Sequence, residues 1–270
     1  MLDLQGAVAV VTGATRGIGR RTALALGARG ARVIVVGRTG IPSDNPKLPG
    51  SVEETVAELQ QLGAEAIGVT ADLVDEAATS EIVGKTLAAF GRCDLLVNNA
   101  AYTSNGAVLD IPWHRWQRAF RVQVVAPLQL CQGFLPGMIE RRSGSVINVS
   151  SGASQSMTPG LALYGTSKQA MERWSDFLHQ EVVSHGVAVN TLRVDRIVST
   201  EGWHYVARTQ GLDVATGGGD MSGVIGPELA AEFVLWIAGR PSGWSGHTVG
   251  FEEITALGGP VTPRMGGSTI

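Results

Sequence analysis

Tyr164 and Lys168 stand four residues apart in Tyr164-Gly165-Thr166-Ser167-Lys168. On a helix that spacing puts both side chains on one face, about 6 Å apart along the axis. An ammonium beside a phenol favours the phenolate and lowers a pKa that is ordinarily about 10 toward neutrality. A tyrosine tuned in this way can give and take a proton at physiological pH. Ser151 lies upstream, just past the apolar run Ser145–Val149. Its hydroxyl falls at the C-terminal edge of a strand, where ligands bind in open α/β folds. Ser150 is the rival and should point to the opposite side of the strand.

A second group of residues suits an anion. Thr12 to Gly19 is a glycine-rich turn between the apolar run Ala7–Val11 and the Ala/Leu-rich stretch Thr22–Ala28. Strand, glycine turn and helix form a phosphate-binding unit, because the helix N-terminus offers unpaired N–H groups and a positive dipole end. Gly13 allows a sharp turn, and Gly17 and Gly19 leave no Cβ between the backbone and a pyrophosphate. The spacing is Gly-x-x-x-Gly-x-Gly. In dinucleotide-binding folds an acidic residue ending the second strand holds the adenosine 2′-hydroxyl. Here the strand Arg32–Val36 ends in Gly37-Arg38-Thr39, with no carboxylate. Arg38 and Arg16 are instead suited to clamp a 2′-phosphate through their planar donor forks, so NADP(H) is expected over NAD(H). Asp72, after the third strand, is expected to accept from the adenine amino group, and Asn99, after the fourth, to bond the adenosine ribose.

These groups need a scaffold. Apolar runs read as strands at Ala7–Val11, Arg32–Val36, Ala66–Thr70, Asp94–Val97, Ser145–Val149, Val187–Leu192 and Thr248–Phe251. Helical stretches intervene near 17–29, 52–63, 76–90, 121–139, 165–184 and 227–239. Alternating β and α, with strands apolar on both faces, predicts an α/β fold: a seven-stranded parallel sheet, doubly wound and covered by helices. The rhythm fills residues 1–270 without a linker, so a single Rossmann-type domain is expected. A proline-rich loop insertion spans 39–51. A second irregular stretch, 200–226, carries Gly217-Gly218-Gly219 and Trp203-His204-Tyr205 and is expected to form a substrate lid.

Composition narrows the classes. Twenty-one basic and 24 acidic residues give a net charge of −3, which supplies no footprint for nucleic acid or an anionic membrane. No apolar run is expected to span a membrane, and Arg16, Arg20 and Arg21 interrupt any signal-peptide core. Cys93 and Cys131, the two cysteines, read as small core hydrophobes. The five histidines lack metal-ligand spacing, so no metal is expected. The setting expected is a reducing cytoplasm.

With these residues in order, the chain resembles the short-chain dehydrogenase/reductase family over nearly its full length. The motifs that carry the resemblance are Thr12-Gly13-x-x-x-Gly17-x-Gly19, Asn98-Asn99-Ala100, Ser151 and Tyr164-x-x-x-Lys168, the last as in the carbonyl reductase branch. The resemblance implies that Tyr164 protonates a substrate oxygen, Ser151 hydrogen-bonds it, and Lys168 holds the nicotinamide ribose while lowering the Tyr164 pKa. It implies cofactor contacts at Gly13, Thr15, Arg16, Gly17, Ile18, Gly19, Arg38, Asp72, Leu73, Asn99, Tyr164 and Lys168, and at the backbone of Ile197. It implies a homotetramer, or a dimer, packed through the helices near 121–139 and 165–184.

Three departures stand out. Ala101 replaces a glycine, Val194-Asp195 replaces Pro-Gly, and Gln123 falls where the family's fourth catalytic residue, an asparagine, sits at a helix irregularity. In relatives the main-chain carbonyl there holds a water that relays protons to the lysine. Pro127 lies four residues on, lacks an N–H and clashes with the carbonyl four residues earlier. The carbonyl of Gln123 is therefore expected to be freed whatever its side chain, and Gln123 to be tolerated. The expected activity is reversible NADP(H)-dependent reduction of a ketone or aldehyde to an alcohol. The alternatives are a catalytically weakened NADP(H)-binding regulator, or an isomerase or dehydratase on the same scaffold. Met157, Leu161, Trp203 and Tyr205 suit an apolar small-molecule substrate.

Overall fold

The computed structural model describes residues 2–42, 48–209 and 223–262. Its sheet contains β1 (Val8–Thr12), β2 (Arg32–Gly37), β3 (Ala66–Thr70), β4 (Leu95–Asn98), β5 (Gly144–Ser151), β6 (Val187–Val194) and β7 (Thr248–Val249). The seven strands lie in the order β3-β2-β1-β4-β5-β6-β7, and every pairing is parallel. The helices are α1 (Gly17–Gly27), α2 (Val52–Gln61), α3 (Ala78–Phe90), α4 (Trp113–Phe120), α5 (Ala126–Glu140), α6 (Ala162–Val182), α7 (Glu201–Thr209), α8 (Pro227–Ala238) and α9 (Phe251–Ala256).

The continuous apolar strands follow from burial on both sides. Side chains alternate faces along a strand. Ala9, Val11, Val33, Val35, Leu95 and Val97 therefore pack beneath α1, α2, α8 and α9. Val8, Val10, Ile34, Val36 and Leu96 pack beneath α3, α5 and α6. Strand order reverses between β1 and β4, so a crevice opens beyond their carboxyl ends. The glycine turn follows β1, Asn99 follows β4 and Ser151 ends β5, which brings the two groups of candidate residues to one edge.

The structure corrects several expectations. The helix expected from residue 121 begins at Trp113, its mixed aromatic and charged first turns having hidden the apolar periodicity. It runs to Glu140 through a five-residue π-turn at Arg121–Val125, where the Ala126 N–H reaches back to the Arg121 carbonyl. Counted as one, Trp113–Glu140 is 28 residues and is long and apolar enough to cross a membrane, contrary to the expectation that no such run exists; half of its most apolar window is buried inside the fold. The seventh strand stops at Val249 and Phe251 opens α9. Residues 201–209 of the expected lid loop are helical, and 210–222 lie outside the described residues, as do 43–47 of the loop insertion. Ala101 has no positive φ, so the missing glycine strains nothing there.

Candidate active site

The glycine turn is locked by its neighbours. Thr12 Oγ1 accepts from the Asn99 and Ala100 N–H groups at 3.0 and 3.1 Å. Asn99 Nδ2 donates to the Thr12 and Gly13 carbonyls at 2.9 and 3.3 Å. The amide nitrogen of Asn99 is thus committed to the turn, and a ribose contact would fall to its oxygen. Gly13 and Gly17 have φ of +67° and +53°. A Cβ at Gly13 would lie 2.9 Å from Ala100 Cα, and one at Gly19 would lie 2.4 Å from the Gly13 oxygen. Gly19 is therefore required by packing within the turn, not by an open approach for phosphate. Thr15 is buried and its methyl occupies the space a Cβ on Gly37 would need. Ile18 packs against the core.

At the end of β2, Arg16 donates to Thr39 Oγ1 and to the Gly50 carbonyl, both at 3.1 Å, and Arg38 is exposed. Burial and then repulsion from Arg38 pull the Arg16 pKa down, while Glu201 works the other way. Arg16 Nε is buried with no partner among the described residues. Two guanidiniums that repel one another, one of them with an unused donor, suit an anion.

A feature the sequence did not announce is Glu201, the first residue of α7. Its Oε2 accepts from the Gly17 N–H at 2.9 Å, and the Thr200 methyl stands where a Gly17 Cβ would point. The positive end of α1 is therefore met by a carboxylate of the chain itself.

Asp72 is also more engaged than expected. Its oxygens accept from the Val74 N–H at 3.1 Å and from Arg118 Nη2 at 3.3 Å, so it holds a turn and an ion pair. Arg118 in turn lies 5.5 Å from the centre of the Tyr102 ring. The Leu73 side chain is core, leaving its backbone for any ligand. The Ile197 carbonyl accepts from the Ile225 N–H at 3.0 Å, so only the rest of its backbone is left for a carboxamide. Asp195 accepts from the Phe251 N–H at 3.4 Å and caps α9, which gives the replacement of Pro-Gly a structural role.

Ser151 and Tyr164 come together, near enough for the Ser151 hydroxyl to offset part of the burial that raises the Tyr164 phenol. Ser151 Oγ also accepts from the Ala153 N–H at 3.2 Å. Ser150 points the other way, as alternation requires, and donates to Glu172 Oε1 at 2.6 Å. Lys168 is 1% exposed. Its Nζ donates to the Val149 carbonyl at 2.6 Å and lies 5.7 Å from the centre of the Tyr164 ring. Burial pushes the ammonium down to about 8, partly offset by Glu172. The expected lowering of the Tyr164 pKa does not hold in this structure. Burial raises it, the nearby Ser151 hydroxyl offsets part of the shift, and Lys168 donates to a backbone carbonyl.

Gln123 lies inside the π-turn and is fully buried. Pro127 has no N–H to offer its carbonyl. The side chain has partners that the sequence did not announce. Its Oε1 accepts from the Tyr102 N–H at 2.8 Å and its Nε2 donates to Ser167 Oγ at 2.5 Å. Ser167 Oγ donates onward to the Tyr164 carbonyl at 2.9 Å. Gln123 therefore ties the segment after β4 to the turn of α6 that carries Tyr164.

The remaining groups are peripheral. Cys93 and Cys131 are buried, and burial raises both thiols, that of Cys131 to about 12. Among the described residues no cluster of three or more His, Cys, Asp or Glu is arranged for a metal. Met157 is exposed, while Trp203 packs edge-on against His204, whose Nε2 lies 2.8 Å from Ser199 Oγ.

A doubly wound parallel sheet with a glycine turn at its switch point and a Ser-Tyr-Lys set at the same edge defines a dinucleotide-fold oxidoreductase class. The comparisons agree. The short chain dehydrogenase family matches residues 7–210, and the chain belongs to that family. It is 32% identical over 192 residues to a 3-oxoacyl-[acyl-carrier-protein] reductase of Synechocystis, covering 71% of this chain and 74% of that protein. Against three other curated relatives the chain spans less than two thirds of their length. A metagenomic short-chain oxidoreductase solved in complex with NADP superposes with a TM-score of 0.73 at 29% identity, covering 92% of this chain and 97% of that one. A short chain dehydrogenase from Mycobacterium paratuberculosis bound to NAD gives 0.78 at 26%, with the same coverage.

Proposed function

We propose that the chain reduces a ketone or aldehyde to an alcohol, reversibly, with NADP(H). The observation that carries this reading is the meeting of Ser151 and Tyr164 at the edge where Arg16 and Arg38 prepare an anion site. The NADP-bound relative supports the phosphorylated cofactor, although an NAD-bound relative shares the fold. The glycine turn, Arg16 and Arg38 would hold a nicotinamide dinucleotide, which would supply or accept the hydride. Ser151 donates a hydrogen bond to the substrate oxygen, and Tyr164 gives that oxygen its proton. In the reverse direction Tyr164 takes the proton from the alcohol. A phenol whose pKa is raised by burial stays neutral at pH 7, which suits it to the reducing direction. In this reading Lys168, one helical turn from Tyr164, supports the phenolate left behind, and Gln123 holds the turn that carries Tyr164.

The described part of the expected lid, 200–209 and 223–226, borders the site in this reading, and Met157, Leu161, Trp203 and Tyr205 favour an apolar substrate. In this reading a homotetramer, or a dimer, packs through the long helix and α6, which expose Val125 and Phe177. Turnover of a carbonyl and alcohol panel with both dinucleotides tests the assignment. Tyr164→Phe should retain dinucleotide binding and lose at least about 10²-fold in turnover. Near wild-type turnover in that variant removes Tyr164 from the chemistry.

A further inference from the structure

Tyr164, Lys168 and Glu172 recur at four-residue intervals along one side of α6. Glu172 is 4% exposed, and no sequence motif singles it out. Its Oε1 accepts from Ser150 Oγ at 2.6 Å, Ser154 Oγ at 2.7 Å and Arg193 Nε at 3.1 Å. Its Oε2 accepts from Arg193 Nη2 at 2.9 Å and Gln155 Nε2 at 3.4 Å. An ionised carboxylate has about four acceptor sites, so this one is saturated. Ser150 precedes Ser151 on β5, and Ser154 ends the short turn, Gly152–Ser154, that Ser151 caps. Arg193 stands beside Ser150 on the adjacent strand β6. One buried carboxylate thus fastens the helix bearing Tyr164 and Lys168 to both flanks of Ser151.

We propose that Glu172 is a positioning residue of the acid–base site: paired with Arg193, it fixes Ser151 against Tyr164 through Ser150 and Ser154 and sets a carboxylate one helical turn from Lys168. The proposal rests on the reading of Ser151, Tyr164 and Lys168 as the reacting set. The electrostatics agree with the geometry. Burial pushes the Glu172 pKa up, but the hydrogen bonds from Arg193, Ser150 and Ser154, with the Arg193 charge, take it below the ordinary carboxylate value. The Glu172 charge counters the burial that lowers Lys168. Around this pair stands Arg193, with Asp195 and Glu253 acting on it from just past β6 and from α9. Arg173 and Asp176 line a cleft of about 300 Å³ that also exposes an edge of Glu172.

The two partners of the ion pair give opposite tests. The chain has three lysines, Lys47, Lys85 and Lys168, so lysine labelled with 13C at Cε gives three resonances, which Lys168→Arg assigns. In the ligand-free protein, Glu172→Gln leaves Arg193 uncompensated and should move the Lys168 titration to lower pH. Arg193→Gln leaves the carboxylate uncompensated and should move it to higher pH. Both should lower kcat on the order of tenfold with a smaller change in KM, as expected when a reacting group is displaced. Ser154→Ala removes one donor and no charge; it should lower kcat and leave the Lys168 titration in place. Should Glu172→Gln fail to fold, Arg193→Gln and Ser154→Ala still decide the matter. A Lys168 titration that stays put in Arg193→Gln, or moves the same way in both charge variants, overturns the proposal. The titration needs no turnover. A wild-type protein inactive on the whole panel refutes the reading of the site, while the NMR still reports on Glu172.

Discussion

Glu201→Gln should tighten NADPH binding. In the ligand-free protein the Glu201 carboxylate already holds the Gly17 N–H, at 2.9 Å, at the start of α1. In the proposed function the cofactor's phosphates need that end of the helix, so binding must displace or approach an anion. A hydrogen bond to a charged acceptor contributes about 1.5–3 kcal/mol and one to a neutral acceptor about 0.5–1.5 kcal/mol. Glutamine keeps the length and an acceptor oxygen but not the charge. The barrier to occupancy should fall by about 1–2 kcal/mol, a roughly 5- to 30-fold lower Kd. Calorimetric titration of NADPH into wild type and variant measures this directly. Adenosine 2′-monophosphate, which reaches Arg16 and Arg38 without a pyrophosphate, should gain less than NADPH, since Glu201 acts on Arg16 only as a nearby charge. An unchanged or weaker NADPH affinity in Glu201→Gln refutes the argument, and an equal gain for the monophosphate refutes its placement at the helix terminus.

Further outcomes follow from the same geometry. Gln123→Ala leaves the Tyr102 N–H and Ser167 Oγ without their buried partner; at about 1–3 kcal/mol for each unsatisfied group, its Tm should drop by roughly 5–15 °C in a thermal melt. Pro127→Ala offers the Gln123 carbonyl an N–H and should lower turnover more than it lowers Tm; a folded Pro127→Ala with full activity counts against a role for that carbonyl. Arg38→Asp should reverse or flatten the ratio of NADPH to NADH affinities, because a carboxylate repels a 2′-phosphate and accepts from a free hydroxyl; a wild type that prefers NADH would contradict the reading of Arg38. Carbonyl reduction needs Tyr164 protonated, and burial raises its pKa. The reduction rate should therefore hold through neutral pH and fall in the alkaline range, where Lys168 loses its proton near 8, while alcohol oxidation rises over that range. A pH profile of reduction already falling between about pH 5 and 7 would contradict this.

What the sequence by itself determined is whatever depends on local order. Continuous Val/Ile/Leu runs have one stable use, a parallel sheet buried on both faces, and all seven were found as strands, displaced by a few residues at their ends. The edge position of Ser151, the opposite aim of Ser150 and the shared face of Tyr164 and Lys168 follow from periods of 2 and 3.6 residues. The helix irregularity around Gln123 lies one turn before Pro127, where the sequence places it. Only the tertiary structure decided where each charge and donor is spent. Lys168 is drawn to the Val149 carbonyl because β5 passes beneath it, and Tyr164 is desolvated, so its pKa rises where local spacing argued that it should fall. Asn99, Asp72 and Ile197 are partly engaged by residues far from them in the chain. Glu172 and Glu201 carry no motif, since their partners Ser150, Arg193 and Gly17 are brought to them by strand order and by the packing of α7. A side chain's period is written in its neighbours along the chain, whereas its hydrogen-bond partners and solvation are set by what folds over it.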